Sequence, residues 1–190
     1  MKNDIASELA KLHELTGSDF SRQIELIALR RDFHPIDNYP NIYTTGGEKS
    51  DDYDNLLKAA KKAVEYGYRV FVLPNPKGIR TADFILERKG VYKMYDLKTV
   101  TGGSSVNNRL VDSIGQSNRV LLNMATNYNA RQLGKDIRHY FEFNPYAIEV
   151  MIFKGHRQIV VKRQYAMSTD FVKVFMMRYN NRKAAKKRLS

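Results

Sequence analysis

Cysteine is absent from the 190 residues, and so is tryptophan. Without a thiol there is no disulfide framework, no Cys-ligated zinc, no iron–sulfur cluster and no cysteine nucleophile. Long apolar runs are missing too. No stretch approaches the roughly 18 uncharged apolar residues of a membrane span, and the opening MKNDIASELAKLHELTG lacks the apolar segment of a secretory signal. A soluble, cytoplasmic chain with no membrane partner is therefore expected. Neither common glycine-rich phosphate loop is present. Negative charge is also scarce: 20 Asp and Glu stand against 32 Lys and Arg, a net charge of +12. With 43% hydrophobic residues the chain can build a core, which excludes wholesale disorder. The excess of positive charge points to a polyanionic partner, nucleic acid first.

The charge is unevenly spread. Residues 1–54 carry six basic and eleven acidic side chains, residues 55–170 carry 19 and nine, and the last twenty carry seven and none. Helical spacing of Ile5, Leu9, Leu12 and Leu15, and of Phe20, Ile24, Ile27 and Leu29 after a Ser18 cap, predicts a two-helix N-terminal arm. Pro35 and Pro40 end it, and a turn-rich connection over 39–49 with Gly46-Gly47 gives a boundary: 1–47 as a helical arm, 48–190 as an α/β domain. In that domain the pattern predicts a helix over 50–66 capped by Ser50 with Gly67 at its C′ position, then strands over 68–74, 81–86 and 91–100. A helix over 106–117, a strand over 119–124, a helix over about 129–142, a hairpin about Gly155 and a basic C-terminal helix follow. Three strands in succession without helical crossovers exclude a doubly wound nucleotide fold.

The most informative segment is Thr81-Ala-Asp-Phe-Ile-Leu86 followed by Tyr95-Asp-Leu-Lys-Thr99. A hairpin turning at Lys89-Gly90 sets Leu86 opposite Lys93, Ile85 opposite Met94, Phe84 opposite Tyr95, and Asp83 opposite Asp96. Facing carboxylates about 4.5–5.5 Å apart at Cβ destabilise a sheet. A divalent cation offsets that, because hard oxygens converging on one point are what Mg²⁺ or Mn²⁺ takes. Alternation puts Lys98 on the face of Asp96, where an ammonium can hold a phosphate oxygen or polarise an attacking water. This is a phosphodiester hydrolysis site in outline.

Asp83 and Asp96-Leu97-Lys98 within an αβββαβ order resemble the PD-(D/E)XK nuclease superfamily. The resemblance implies a restriction-endonuclease-like core, Asp83 and Asp96 as metal ligands, Lys98 assisting the water, and Mg²⁺ or Mn²⁺ as cofactor. Asp54 is similar to the acid of the first helix, a position for which Asp51, Asp52 and Glu65 compete. Gln116, before the strand Val-Leu-Leu-Asn, resembles the family's glutamine. Ala82 stands where the family usually has Pro. Within the superfamily the order is most similar to the C-terminal tRNA-nuclease domains of contact-dependent growth inhibition polymorphic toxins. That likeness spans residues 50–125, favours tRNA over DNA and implies an immunity protein as partner. With Met1 as the first residue and no delivery region, a free-standing protein and an excised domain are both open.

Other features point less far. His13, His34, His139 and His156 are scattered, with no pair at i, i+4, which gives a histidine metal site or a histidine ribonuclease little support. Thr101, Ser104 and Ser105 read as a turn. Lys183, Lys186, Lys187 and Arg188 are positioned to dock on a phosphate backbone, with a solvated tail as the alternative. A non-catalytic basic nucleic-acid-binding accessory protein of a phage or mobile element stands as the second reading.

Overall fold

The computed structural model describes residues 4–46, 52–76, 78–102 and 105–181. The chain divides into two compact units, Met1–Asp96 with Gly115–Ser117, and Leu97–Ile114 with Asn118–Ser190.

The first unit opens with α1 (Ile5–Lys11), a 3₁₀ turn (Leu12–Glu14) and α2 (Gly17–Ala28). The apolar positions bury as the spacing predicts: Leu9, Leu12, Ile24 and Ile27 lie in the core. Leu29 does not, because it is the C-cap residue of α2 and points to solvent. The cap also differs from expectation, since Thr16 and not Ser18 precedes the first turn. Arg30 joins Glu8 at 2.5 Å and also pairs with Asp32, which fastens the chain leaving α2 back onto α1.

Residues 39–44, predicted as connection, are instead paired. β1 (His34–Ile36) and β2 (Tyr39–Thr44) form a hairpin around Asp37-Asn38, with Asn38 at φ 67°. The prolines misled because proline cannot donate to a ladder and reads as a breaker. Here Pro35 lies in the short outer strand, and Pro40 falls where the β1–β2 register shifts, the two settings a sheet tolerates.

α3 (Tyr53–Glu65) buries Ala59, Ala60 and Ala63, and its N-cap position is held by Asp52; the predicted Ser50 cap lies outside the described residues. Gly67 ends it at φ 80°, its amide donating to Val64 O at 2.9 Å while the Tyr68 amide reaches Ala63 O at 3.1 Å. That cap reverses the chain into β3 (Arg69–Val72), so the N-terminus of α3 and the C-terminus of β3 share one end of the unit. β2 pairs parallel with β3, and β3 pairs antiparallel with β4 (Phe84–Arg88), which pairs antiparallel with β5 (Val91–Val100). Phe71, Ile85 and Met94 share the face covered by α1 and α2, with Phe33 edge-on to Phe71 and Tyr43 stacked on it.

The second unit takes the end of β5, then α4 (Val106–Asp112), β6 (Arg119–Met124) and α5 (Ala130–Phe143). The hairpin β7 (Glu149–Lys154) and β8 (Arg157–Lys162) turns about Gly155 as predicted, and α6 (Arg163–Ala166) and α7 (Phe171–Asn180) complete it. β6 runs parallel to β7 and β7 antiparallel to β8. The order α3–β3–β4–β5–α4–β6 is the expected αβββαβ order in a mixed α/β chain. The helix predicted over 106–117 stops at Asp112, where Ser113 Oγ bonds back to Leu110 O at 2.6 Å and Gly115 takes φ 84°. Among the described residues no helix is long and apolar enough to cross a membrane.

The core of this unit is Val120, Leu122, Val150, Ile152 and Val161 under Leu133, Ile137, Phe171 and Phe175. α5 and α7 approach closely at Gly134, where an added Cβ would stand 3.1 Å from Phe175 Cδ1 and 3.5 Å from Val172 Cγ1. A helix-interior glycine costs about 1 kcal/mol against alanine, a cost this close contact explains. Gly134→Val should lower stability by about 1–3 kcal/mol through overpacking. The readout is the urea midpoint; a midpoint equal to wild type would contradict the close α5–α7 contact.

Candidate active site

The β4–β5 ladder has the predicted register: Leu86 faces Lys93, Ile85 faces Met94 and Phe84 faces Tyr95. There the ladder ends. Asp83 precedes β4, and its amide donates to Tyr95 O at 3.1 Å, the carbonyl that Phe84 already faces. The predicted ladder pairing of Asp83 with Asp96 is thus replaced by a one-residue slip at the mouth of the hairpin, a bulge-like departure. On its other side Asp83 stays in register, its carbonyl accepting from the Leu73 amide at 2.9 Å.

Asp96 lies inside β5 and is 1% exposed, whereas Asp83 is half-buried. Alternation turns Asp96 to the face that carries Tyr92 and Met94. A carboxylate taken so far from water is stable only with compensating partners, which marks this as the chemically loaded position of the strand. Lys98, half-buried, follows two residues along β5, in the stretch that belongs to the second unit.

Gln116 was expected at the end of a helix but sits in the turn after α4, half-buried, within the short segment that belongs to the first unit. Its neighbour explains why. The Ser117 hydroxyl donates to Met94 O at 3.0 Å and is itself buried, which pins this turn to β5 two residues before Asp96. Sequence reasoning passed over Ser117; a small hydroxyl next to a candidate glutamine was the available signal. Asp54 occupies the first turn of α3 and is exposed, at the same end of the unit as Asp83. Asp52 stands at the N-cap position of α3 and its carboxylate accepts from Asn55 Nδ2 at 3.2 Å, and Glu65 lies at the opposite end of the helix. Asp51, Ser104, Lys183, Lys186, Lys187 and Arg188 lie outside the described residues.

No protein-family model matches the chain, and no curated protein matches it. A likeness does come from a solved structure. One chain of the CdiA-CT/CdiI toxin and immunity complex from Burkholderia pseudomallei is similar over 62% of this chain and 97% of its own, at 14% identity and a TM-score of 0.41.

The donor set is compatible with a divalent ion. Two carboxylates supply hard oxygens, and no cluster of three or more His, Asp and Glu side chains suited to a metal occurs among the described residues. Carboxylate oxygens are the donors Mg²⁺ takes, together with water and substrate phosphate. Of the histidines, His34 is in β1, His139 bonds Asn107 Oδ1 at 2.9 Å, and His156 is on the β7–β8 turn.

A third acid of the hairpin has a structural task. Glu87 accepts from Arg69 Nε at 2.6 Å and from the Gly90 amide at 2.6 Å, tying β3 to the Lys89-Gly90 turn. Burial pushes the Glu87 carboxyl up, but the Arg69 hydrogen bond, the Gly90 amide and the Arg69 charge outweigh it and hold the carboxyl below its ordinary value of 4.5. A depressed folded-state pKa means that this stabilisation is complete above about pH 4.5 and is lost as pH falls through the folded value. Glu87→Gln should cost about 1 kcal/mol at pH 7, the Arg69 head being partly in solvent. The gap to wild type should close towards pH 3, as followed by urea unfolding across pH. A gap independent of pH would contradict the ionised pair.

Proposed function

We propose that the chain is a divalent-metal-dependent endonuclease that hydrolyses phosphodiester bonds of nucleic acid, on a restriction-endonuclease-like core. The observation that carries this reading is the β4–β5 register, which brings Asp83 to the mouth of the hairpin and Asp96, 1% exposed, into the adjoining strand. The Ser117–Met94 bond adds the Gln116 turn to the same strand. The net charge of +12 supplies the long-range attraction a polyanionic substrate requires.

Asp83 and Asp96 would hold Mg²⁺ or Mn²⁺. When bound, the ion lowers the pKa of a water and neutralises charge that develops on the phosphoryl oxygens. The chain's own groups divide the remaining work. Lys98 offers N–H donors to the attacking water or to a non-bridging phosphate oxygen, and its positive charge is worth most where the strand is withdrawn from solvent. The Gln116 amide orients water or phosphate through a donor and an acceptor held by the pinned turn. Asp54, exposed, is the weaker candidate for a third acid. Residue order resembling polymorphic-toxin nuclease domains makes tRNA the first substrate to test, and an immunity protein the first partner.

Purified protein is to be incubated with bulk tRNA, single-stranded DNA and plasmid, with Mg²⁺ or Mn²⁺ and with EDTA. Wild type should cut one of them only with metal. Asp96→Asn and Lys98→Met should each lower kcat by about 10²–10⁴, and Asp54→Asn by less than about tenfold. Wild type and Asp96→Asn equally inert while both bind nucleic acid would make the protein a binder, and cleavage that survives EDTA would remove the metal.

A further inference from the structure

The second unit holds an open groove of ≈ 380 Å³ between the segment after β6 and the β7–β8 turn. Its polar lining is Thr126, Asn127, Lys154, His156 and Arg157, and no carboxylate among the described residues lines it. The walls are built rather than incidental. Met124 pairs with Lys154 across the parallel β6–β7 ladder, and Lys154 pairs with Arg157 across the hairpin, leaving a two-residue turn. Gly155 occupies its first central position at φ 56°, the glycine-first arrangement of a II′ turn, so strand pairing sets where the three basic residues stand.

Lys154 and Arg157, the two cations, are braced from behind. Lys154 Nζ lies 3.6 Å from the centre of the Tyr179 ring, and Arg157 donates to Asn181 O at 2.7 Å and to Arg178 O at 3.4 Å. A guanidinium and an ammonium held by the end of α7 lose little freedom on meeting an anion, which favours binding.

We propose that this groove binds the phosphate backbone of a nucleic-acid strand, as a docking subsite formed by residues other than the hairpin acids. Its openness suits a strand passing through better than an enclosed small anion. Fixed cations without base-reading geometry give binding that is strong in salt dependence and weak in sequence preference. The identity of the ligand as nucleic acid rests on the nuclease reading; the groove itself does not.

The test is fluorescence anisotropy of a labelled single-stranded oligonucleotide of about 15 nucleotides with the full chain in EDTA. Asn127→Glu and His156→Glu place a negative charge at exposed positions without removing a packed group. Each should weaken binding by about tenfold near 100 mM salt with unchanged thermal unfolding, and Lys154→Gln should reduce the salt slope by about one. Unchanged affinity in both glutamate variants would overturn the groove. Displacement of the oligonucleotide by inorganic phosphate at an equal concentration of phosphate groups would reassign it to a free anion and overturn the strand. Asp96-dependent cleavage with unaltered binding in the glutamate variants would sink the groove and leave the nuclease. Lost binding in those variants with no cleavage by wild type would uphold the groove and sink the nuclease.

Discussion

The two-residue turn at Lys89-Gly90 governs the candidate site. Both residues take positive φ, 55° and 77°, the pattern of a I′ turn, and for lysine that conformation costs on the order of 1 kcal/mol. Glu87 offsets the cost by accepting the Gly90 amide while Arg69 on β3 holds the same carboxylate. With the turn fixed, Arg88 must face Val91 and every later pair follows to Phe84 and Tyr95. A slip of one residue would move Asp96 to the opposite face of the sheet, so an ion pair at the far end of the hairpin helps set which face Asp96 takes.

The first unit therefore gives its acids two different settings. Glu87 is ionised and satisfied in place, a structural acid. Asp96 is buried at the end of the same sheet face and next to the segment that Ser117 ties to β5. The basic residues are distributed otherwise. The groove cations belong to the second unit and are braced by α7.

Much of this was legible from the residues because the strongest signals are local. Gly90 after Lys89 fixed the hairpin register, Gly67 marked the end of α3, and apolar periodicity found α1, α2, α5 and β6. What escaped depends on partners distant in sequence. The strands β1 and β2 were hidden because Pro35 and Pro40 break ladders except at edges and irregular registers, and only the position of the strand in the sheet reveals which applies. The early end of α4, which moves Gln116 into a turn, depends on Ser113 bonding back to Leu110 and on Gly115 at positive φ. The shifted Asp83 amide is a backbone adjustment with no residue signature. Ser117 looked like any serine until its acceptor on β5 was known.

The most direct measurement is the anomalous signal of Mn²⁺ in crystals of the wild-type protein. Binding by the hairpin acids predicts one peak about 2.0–2.3 Å from carboxylate oxygens of both Asp83 and Asp96, with water filling the remaining positions. A peak elsewhere, or none at saturating Mn²⁺, would contradict a metal-dependent centre at the mouth of this hairpin.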